Sequence, residues 1–257
     1  MAGKIFVFDL DDTLIDNVHD YAEPILDTCR LIVKTLGRKA PHVDVIIALE
    51  HEIDSRRVKE INPDTGKPFL YSMERFPGSM VEVYREVAKC AGVATDPELE
   101  KEFYAIGMQA FDESRYAKNI NPAAKTVLDY LTNNGDEAAL LTKGDRRVQQ
   151  KKIAALRNAG ISHLSPVHIV DQKLSRTFSL TVGFRSGSAK DFTVYSVGNS
   201  FESDIVPALE AGFKGIFIPV ETWDLIGKMD DMIRRAKDAG AIVFMDLGDI
   251  ITHYKEL

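Results

Sequence analysis

The sequence predicts an α/β protein: a parallel sheet with helices on both faces, interrupted near its start by an all-helical insertion. Three observations predict it. A short, apolar, β-prone run, Ile5 to Phe8, opens the pattern. Helical spacing then takes over from about Tyr21 to Phe111. After Asn121-Pro122, strand-like and helix-like segments alternate to the end, the pattern of a parallel sheet with crossover helices. The 257 residues suffice for one large domain or two modest ones, with a real core and no need of disulfides.

Each element has a local reason. Ile5 to Phe8 is continuously apolar, as a strand buried on both faces should be. Ile25, Cys29, Ile32, Val33 and Leu36 recur at helical spacing, and Gly37 stops that run. Val43 to Ile61 reads as a second helix, ended by the turn Asn62-Pro63-Asp64-Thr65-Gly66. Pro77 opens a third, with Met80, Tyr84, Val87 and Ala91 inward and Gly92 as its stop. Pro97 opens a fourth, with Leu99, Phe103, Ile106 and Ala110 on one side. Beyond residue 120 the reading runs helix (Ala123 to Asn133), strand (Glu137 to Leu141), basic helix (Arg146 to Asn158) and strand (Val167 to Val170). Next come strand Phe192 to Val197, helix Asp204 to Ala211, strand Gly215 to Pro219, helix Glu221 to Ala239, strand Ala241 to Phe244 and a short terminal helix. The expected division is therefore residues 1–16 and 121–257 as the α/β core, with 17–120 as the helical insertion. Such insertions sit at the carboxyl ends of the strands, where these sheets bind ligands.

Composition narrows the function. Apolar residues make up 45% and charged residues 28%, the proportions of an ordinary globular chain. A formal charge of −7 without basic clustering argues against nucleic acid and membrane surfaces as partners. Two cysteines, Cys29 and Cys90, form neither a disulfide framework nor a metal-ligand pattern. Met1-Ala2-Gly3-Lys4 leads into an apolar run too short for a signal-peptide core, and no stretch reaches the roughly 20 apolar residues of a membrane span. A cytoplasmic protein, monomer or homodimer, is expected. Trp223 reads as a core or rim residue.

The chemistry concentrates at strand ends. In Phe8-Asp9-Leu10-Asp11-Asp12-Thr13, three carboxylates follow a buried strand, and residues two apart in extended chain point the same way. Asp9 and Asp11 can therefore share one pocket. So many like charges need a cation or donors to compensate them. The pair suits nucleophilic catalysis: one carboxylate attacks phosphorus and the other handles protons. The competing reading is an acidic loop that caps the next helix, to which Asp12 and Thr13 are well suited. A second junction, Leu141-Thr142-Lys143-Gly144-Asp145, offers a hydroxyl, backbone N–H groups and a close-approach glycine to an anion, or else a plain helix cap. A third, Val197-Gly198-Asn199-Ser200 through Asp204, offers Asn199 and Asp204 as oxygen ligands for a small hard cation such as Mg²⁺, or else a turn. A lysine is needed to neutralise the phosphoryl group; Lys173 is the choice and Lys143 the rival.

Together these motifs resemble the haloacid dehalogenase (HAD) superfamily of Mg²⁺-dependent phosphohydrolases, over nearly the whole chain. Asp9-Leu10-Asp11-Asp12-Thr13 matches the first motif, DxDxT. The resemblance implies Asp9 as nucleophile, Asp11 as general acid/base and the Asp11 carbonyl as a metal ligand. Thr142 matches the second motif and, with Lys143, Gly144 and Lys173, would bind phosphate. Lys173 stands where the third-motif lysine belongs, and Gly198-Asn199-Ser200 through Asp204 resembles the fourth, acidic motif. Asp9, Asp11, Asn199 and Asp204 would then hold Mg²⁺. The family usually has aspartate where this chain has Asn199, so one negative charge is missing. The implied fold is a Rossmann-like parallel sheet with an inserted α-helical cap that closes over the aspartates and reads the leaving group.

The implied activity is hydrolysis of a small phosphorylated metabolite through an aspartyl phosphate. A dehalogenase also uses an aspartate nucleophile, but it needs no proton donor to a halide, so Asp11 argues against it. A phosphotransferase or mutase would share the intermediate, and a catalytically idle binding protein would have lost Asp9 or Asp11. His19, Tyr21, Arg56, Arg57, Arg75, Arg115 and Tyr116 are substrate-contact candidates, although Arg56 and Arg57 lie among acids and suit a solvated charged face.

Overall fold

The structure, a computed structural model, describes residues 3–183, 192–221 and 227–257. Its strands are β1 (Gly3–Phe8), β2 (Glu137–Lys143), β3 (Leu164–Val170), β4 (Phe192–Gly198), β5 (Lys214–Phe217) and β6 (Ile242–Val243). They form one parallel sheet in the order β3-β2-β1-β4-β5-β6. β1 is central: Val7 stands opposite Ala139 on one side and Ser196 on the other. The strand order reverses direction at β1, which makes its carboxyl end a switch point and a natural ligand site.

Alternation along the strands builds two cores. Phe6, Phe8, Ala138, Leu140, Tyr195 and Val197 face one side, packing with Leu128 and Leu131 and with Ile153 and Leu156. These partners belong to the helices α6 (Ala124–Asn133) and α7 (Arg146–Asn158). Ile5, Val7, Ala139, Leu141 and Val194 face the other side, against Phe178, Val182 and Ala208. Those come from α8 (Ser175–Gly183) and α9 (Val206–Glu210). Apolar side chains on both faces explain why these strands read as unbroken apolar runs.

The chain divides into two compact units, residues 1–17 with 114–257, and residues 18–113. The helical unit contains α1 (Val18–Leu36), α2 (Val43–Arg57), α3 (Arg75–Cys90) and α4 (Pro97–Met108). Its own core joins Ile25, Cys29, Ile32, Ile46, Ile53, Met80, Tyr84, Val87 and Phe103. Residues 114–120, which take in most of the short helix α5 (Glu113–Tyr116), belong with the sheet rather than the helical unit, so the boundary at 120 moves. Asp16 N donates to Asn119 O, Ile15 pairs with Ile120, and the Tyr116 side chain is buried.

Other elements differ from expectation for identifiable reasons. α2 stops at Arg57, not Ile61, because Phe69 N donates to Glu60 O and Asn62 N to Lys67 O, pulling the chain into a hairpin-like loop. Val33 is exposed rather than inward. β3 begins at Leu164, earlier than expected, and Pro166 is tolerated within it because β3 is an edge strand. α8 has no counterpart in the sequence reading. The helix expected from Asp204 begins earlier, as a π-turn over Phe201–Ile205, and becomes α-helical at Val206. The last long helix is described as α10, Met229–Asp238; Trp223 lies outside the described residues. Among the described residues no helix is long and apolar enough to cross a membrane.

Candidate active site

The site grows from the end of β1. Asp9 is the first residue past the strand, still tied to the sheet because its N–H donates to Val197 O (2.9 Å). The chain then turns sharply. Leu10 O accepts from the N–H groups of Leu14 and Ile15, and Asp12 adopts φ 54°. That left-handed conformation suits a short polar residue. Asp12 also accepts from Asn17 N through Oδ1 (2.7 Å). Asp12 is thus engaged in bracing this turn.

Lys173, in the loop after β3, carries the most enclosed charge here. Its Nζ donates to Asp9 Oδ1 and to Asp204 Oδ1, each at 2.6 Å, with its side chain 1% exposed. Burial alone would lower the ammonium pKa, but Asp204 and Asp9 together raise it above its ordinary value. Lys143 points elsewhere, its Nζ donating to Ser203 Oγ (2.8 Å). Of the two lysines, Lys173 is the one on the predicted nucleophile.

Asp9 has an excess of negative neighbours. Burial and the Asp204 carboxylate push its pKa from 3.8 to about 7, with a further push from Asp11 and a partial offset from Lys173. Its Oδ1 is occupied by Lys173 and by Leu10 N (2.7 Å). Oδ2 accepts no hydrogen bond among the described residues. Thr142, at the end of β2, is fully buried, and its hydroxyl has no partner among the described residues. A buried hydroxyl without a partner costs stability. It is an unmet donor of the kind an oxyanion would satisfy.

Asp204, expected among the metal ligands, is engaged with protein donors. Its Oδ1 accepts from Lys173, its Oδ2 accepts from Ser200 N (2.9 Å), and its main-chain oxygen accepts from Ser196 Oγ (2.7 Å). Here it braces Lys173 and shapes the loop. Gly198 permits this, because a Cβ there would overlap the Asp204 carboxylate. Asn199, just past β4, is half-buried, and its side chain has no hydrogen bond among the described residues.

Two residues absent from the sequence reading complete the site, and both come from α7. Lys152 Nζ donates to Asp11 Oδ1 (2.5 Å) and Gln149 Nε2 donates to Asp11 Oδ2 (2.7 Å). Gly144, with φ 141°, makes room, since a Cβ there would stand 2.7 Å from Gln149 Nε2. Asp145 caps α7 by accepting from Arg147 N (2.8 Å).

No family model matches the chain, and no curated protein matches it by sequence. Solved structures do match. A haloacid dehalogenase-like family hydrolase from Xanthomonas campestris is 20% identical with a TM-score of 0.59, over 93% of this chain and 94% of its own. A predicted phosphoglycolate phosphatase from Haemophilus somnus 129pt is 17% identical with a TM-score of 0.53, over 98% of both chains. L-2-haloacid dehalogenase from Xanthobacter autotrophicus, with chloropropionic acid covalently bound, is 15% identical with a TM-score of 0.50, over 99% of both chains. The chain has the haloacid dehalogenase fold.

Within this HAD fold, the donors near Asp9 suit a small hard cation. Among the described residues Asp9 Oδ2 and the Asn199 amide oxygen accept no hydrogen bond, and the Asp9 pKa, raised by burial first and by the Asp204 carboxylate second, marks an ionised form that a cation would stabilise. Among the described residues no three His, Cys, Asp or Glu side chains gather as a metal cluster. A cation here would therefore rely partly on main-chain oxygen, water and substrate.

Three of the substrate-contact candidates, Arg56, Arg57 and Arg75, are held by carboxylates of the helical unit. Arg56 and Arg57 pair with Glu82, Arg56 also with Glu60, and Arg75 with Asp54. Tyr116 belongs to the sheet unit, with its ring centroid 5.5 Å from Lys152 Nζ.

Proposed function

We propose that this chain is a HAD-superfamily hydrolase that removes phosphate from a small phosphorylated metabolite, through an aspartyl phosphate on Asp9. The observation that carries the reading is Asp11, two residues past the nucleophile and held by α7 at the same strand end. Expelling a halide needs no proton, so a dehalogenase would have no use for such a carboxylate. Expelling an alkoxide does.

In the first step Asp9 Oδ2 attacks phosphorus, the ester P–O bond breaks, and the leaving oxygen takes a proton from Asp11. In the second, water attacks phosphorus and gives a proton to Asp11 as the bond to Asp9 breaks, releasing orthophosphate and the free carboxylate. Lys173 orients Asp9 and sets positive charge beside the reacting group. The Thr142 hydroxyl is the available donor to a phosphoryl oxygen. Mg²⁺, held by Asp9, Asn199 and the Asp11 carbonyl, would supply further neutralisation of the phosphate.

Phosphate release from p-nitrophenyl phosphate and a panel of phosphorylated metabolites, with Mg²⁺ and with EDTA, tests this. Asp9→Asn should reduce turnover to background. Asp11→Asn should slow alkyl phosphates by about 10²–10⁴-fold and p-nitrophenyl phosphate much less. Chloride release from 2-chloropropionate in place of phosphate release would establish the dehalogenase reading instead. Transfer of phosphate to a sugar hydroxyl rather than water would make the chain a phosphotransferase.

A further inference from the structure

An aspartyl phosphate can pass its phosphoryl group to water or to an alcohol, and the two acceptors differ in how many hydrogens they bring. Gln149, on α7, bears on that difference. The residue is 3% exposed. Its Nε2 donates to Lys143 O (2.9 Å) as well as to Asp11 Oδ2 (2.7 Å). A main-chain carbonyl can only accept, so the amide cannot turn round, and Nε2 stays with these two oxygens. Oε1 is then buried without a hydrogen-bond donor among the described residues. A buried acceptor left in this way costs stability until a donor reaches it. In a planar amide the oxygen lies about 2.2 Å from the nitrogen, so Gln149 Oε1 stands within about 5 Å of Asp11 Oδ2. One water molecule can span that gap with a hydrogen bond to each oxygen.

We propose that Gln149 is a specificity-determining residue whose Oε1 accepts the second hydrogen of the water that attacks the aspartyl phosphate. This rests on the phosphohydrolase reading. Water brings two hydrogens. As its oxygen bonds to phosphorus and the bond from Asp9 Oδ2 to phosphorus breaks, one hydrogen passes to Asp11 as a proton. The other stays on the oxygen that becomes part of orthophosphate, and Gln149 holds it during the attack. An alcohol brings a single hydroxyl hydrogen, which passes to Asp11, and its carbon substituent offers Oε1 nothing to accept. Gln149 therefore favours hydrolysis over transfer to an alcohol.

The test is turnover of p-nitrophenyl phosphate with Mg²⁺ in buffer containing methanol or ethanol. p-Nitrophenolate counts every phosphoryl group taken, orthophosphate counts those given to water, and the difference is transfer to the alcohol. Wild type should prefer water to either alcohol, mole for mole. Gln149→Met and Gln149→Leu should each raise the ratio of transfer to hydrolysis by about 3- to 10-fold, the worth of one hydrogen bond between neutral groups. The factor should be the same for methanol and ethanol, since neither alcohol uses Oε1. A folded variant with the wild-type ratio overturns the proposal whatever its overall rate, because Gln149 would then be merely structural. So does a larger gain for ethanol than for methanol, the mark of a widened pocket rather than a lost acceptor. A wild type that prefers an alcohol overturns it too, and the wild-type preference decides the matter if neither variant folds. If the wild type releases no phosphate from any phosphomonoester, the phosphohydrolase reading falls and the role of Gln149 falls with it. Active wild type with unaltered ratios in the variants removes the role of Gln149 alone.

Discussion

Asp9 is predicted to lower the stability of its own protein at neutral pH, and replacing it should show by how much. Burial and the nearby carboxylates raise its pKa from 3.8 to about 7. Unfolded, the side chain ionises near its ordinary value; folded, it holds its proton over some three further pH units. Its contribution is therefore fully present below pH 3.8, declines through the interval, and is lost above about pH 7. At about 1.36 kcal/mol per tenfold change in proton activity, the loss approaches about 4 kcal/mol. The side chain is 11% exposed, and relaxation of its surroundings brings the expected figure to about 2–4 kcal/mol. Asp9→Asn keeps the shape and removes the ionisation. Chemical denaturation in EDTA should find the two proteins nearly equal at pH 4 and the variant more stable by about 2–4 kcal/mol at pH 8. Glu50, buried in the helical unit with a pKa raised to about 8 by burial and Asp54, also depresses stability as pH rises. It does so in both proteins, and the difference cancels it. A variant less stable than wild type at pH 8, or a pH-independent difference, would refute the electrostatic account of Asp9.

The remaining expectations concern the same strand ends. Mg²⁺ at pH 8 should raise the melting temperature of the wild type but not of Asp9→Asn, and Asn199→Asp should respond at lower Mg²⁺ concentration; thermal melts across a Mg²⁺ series check this without any substrate. Thr142→Val should leave stability within about 1 kcal/mol of wild type, because the hydroxyl has no partner to lose, while kcat/KM for phosphomonoesters drops. A large destabilisation would mean the hydroxyl is bonded within the protein. Gly198→Ala should cost about 1–3 kcal/mol and impair turnover, because its methyl group displaces the Asp204 carboxylate and with it Lys173. Denaturation midpoints and steady-state rates read both effects.

Much of this site was legible in the sequence because its information is local. The apolar run of β1 specifies a doubly buried strand, and the spacing of Asp9 and Asp11 puts two carboxylates at its end. Alternation of strands and helices after residue 120 predicts parallel order, and parallel order brings the ends of β2, β3 and β4 to the same edge. Thr142, Lys173 and Asn199 follow from that topology.

What the tertiary structure decided is which of several chemically suitable groups meet. The sequence favours Lys173 and leaves Lys143 as its rival; the fold sends Lys143 to Ser203 and Lys173 between Asp9 and Asp204. Asp204 has the composition of a metal ligand, and only the path of the π-turn turns it onto Lys173. Lys152 and Gln149 lie on a helix whose sequence reads simply as basic, yet Lys152 reaches Asp11 across 141 positions. Periodicity reports the apolar face that a helix buries, since burial is driven by the amount of apolar surface. It carries no signal for a single charged side chain whose burial is stabilised by one carboxylate from a distant loop.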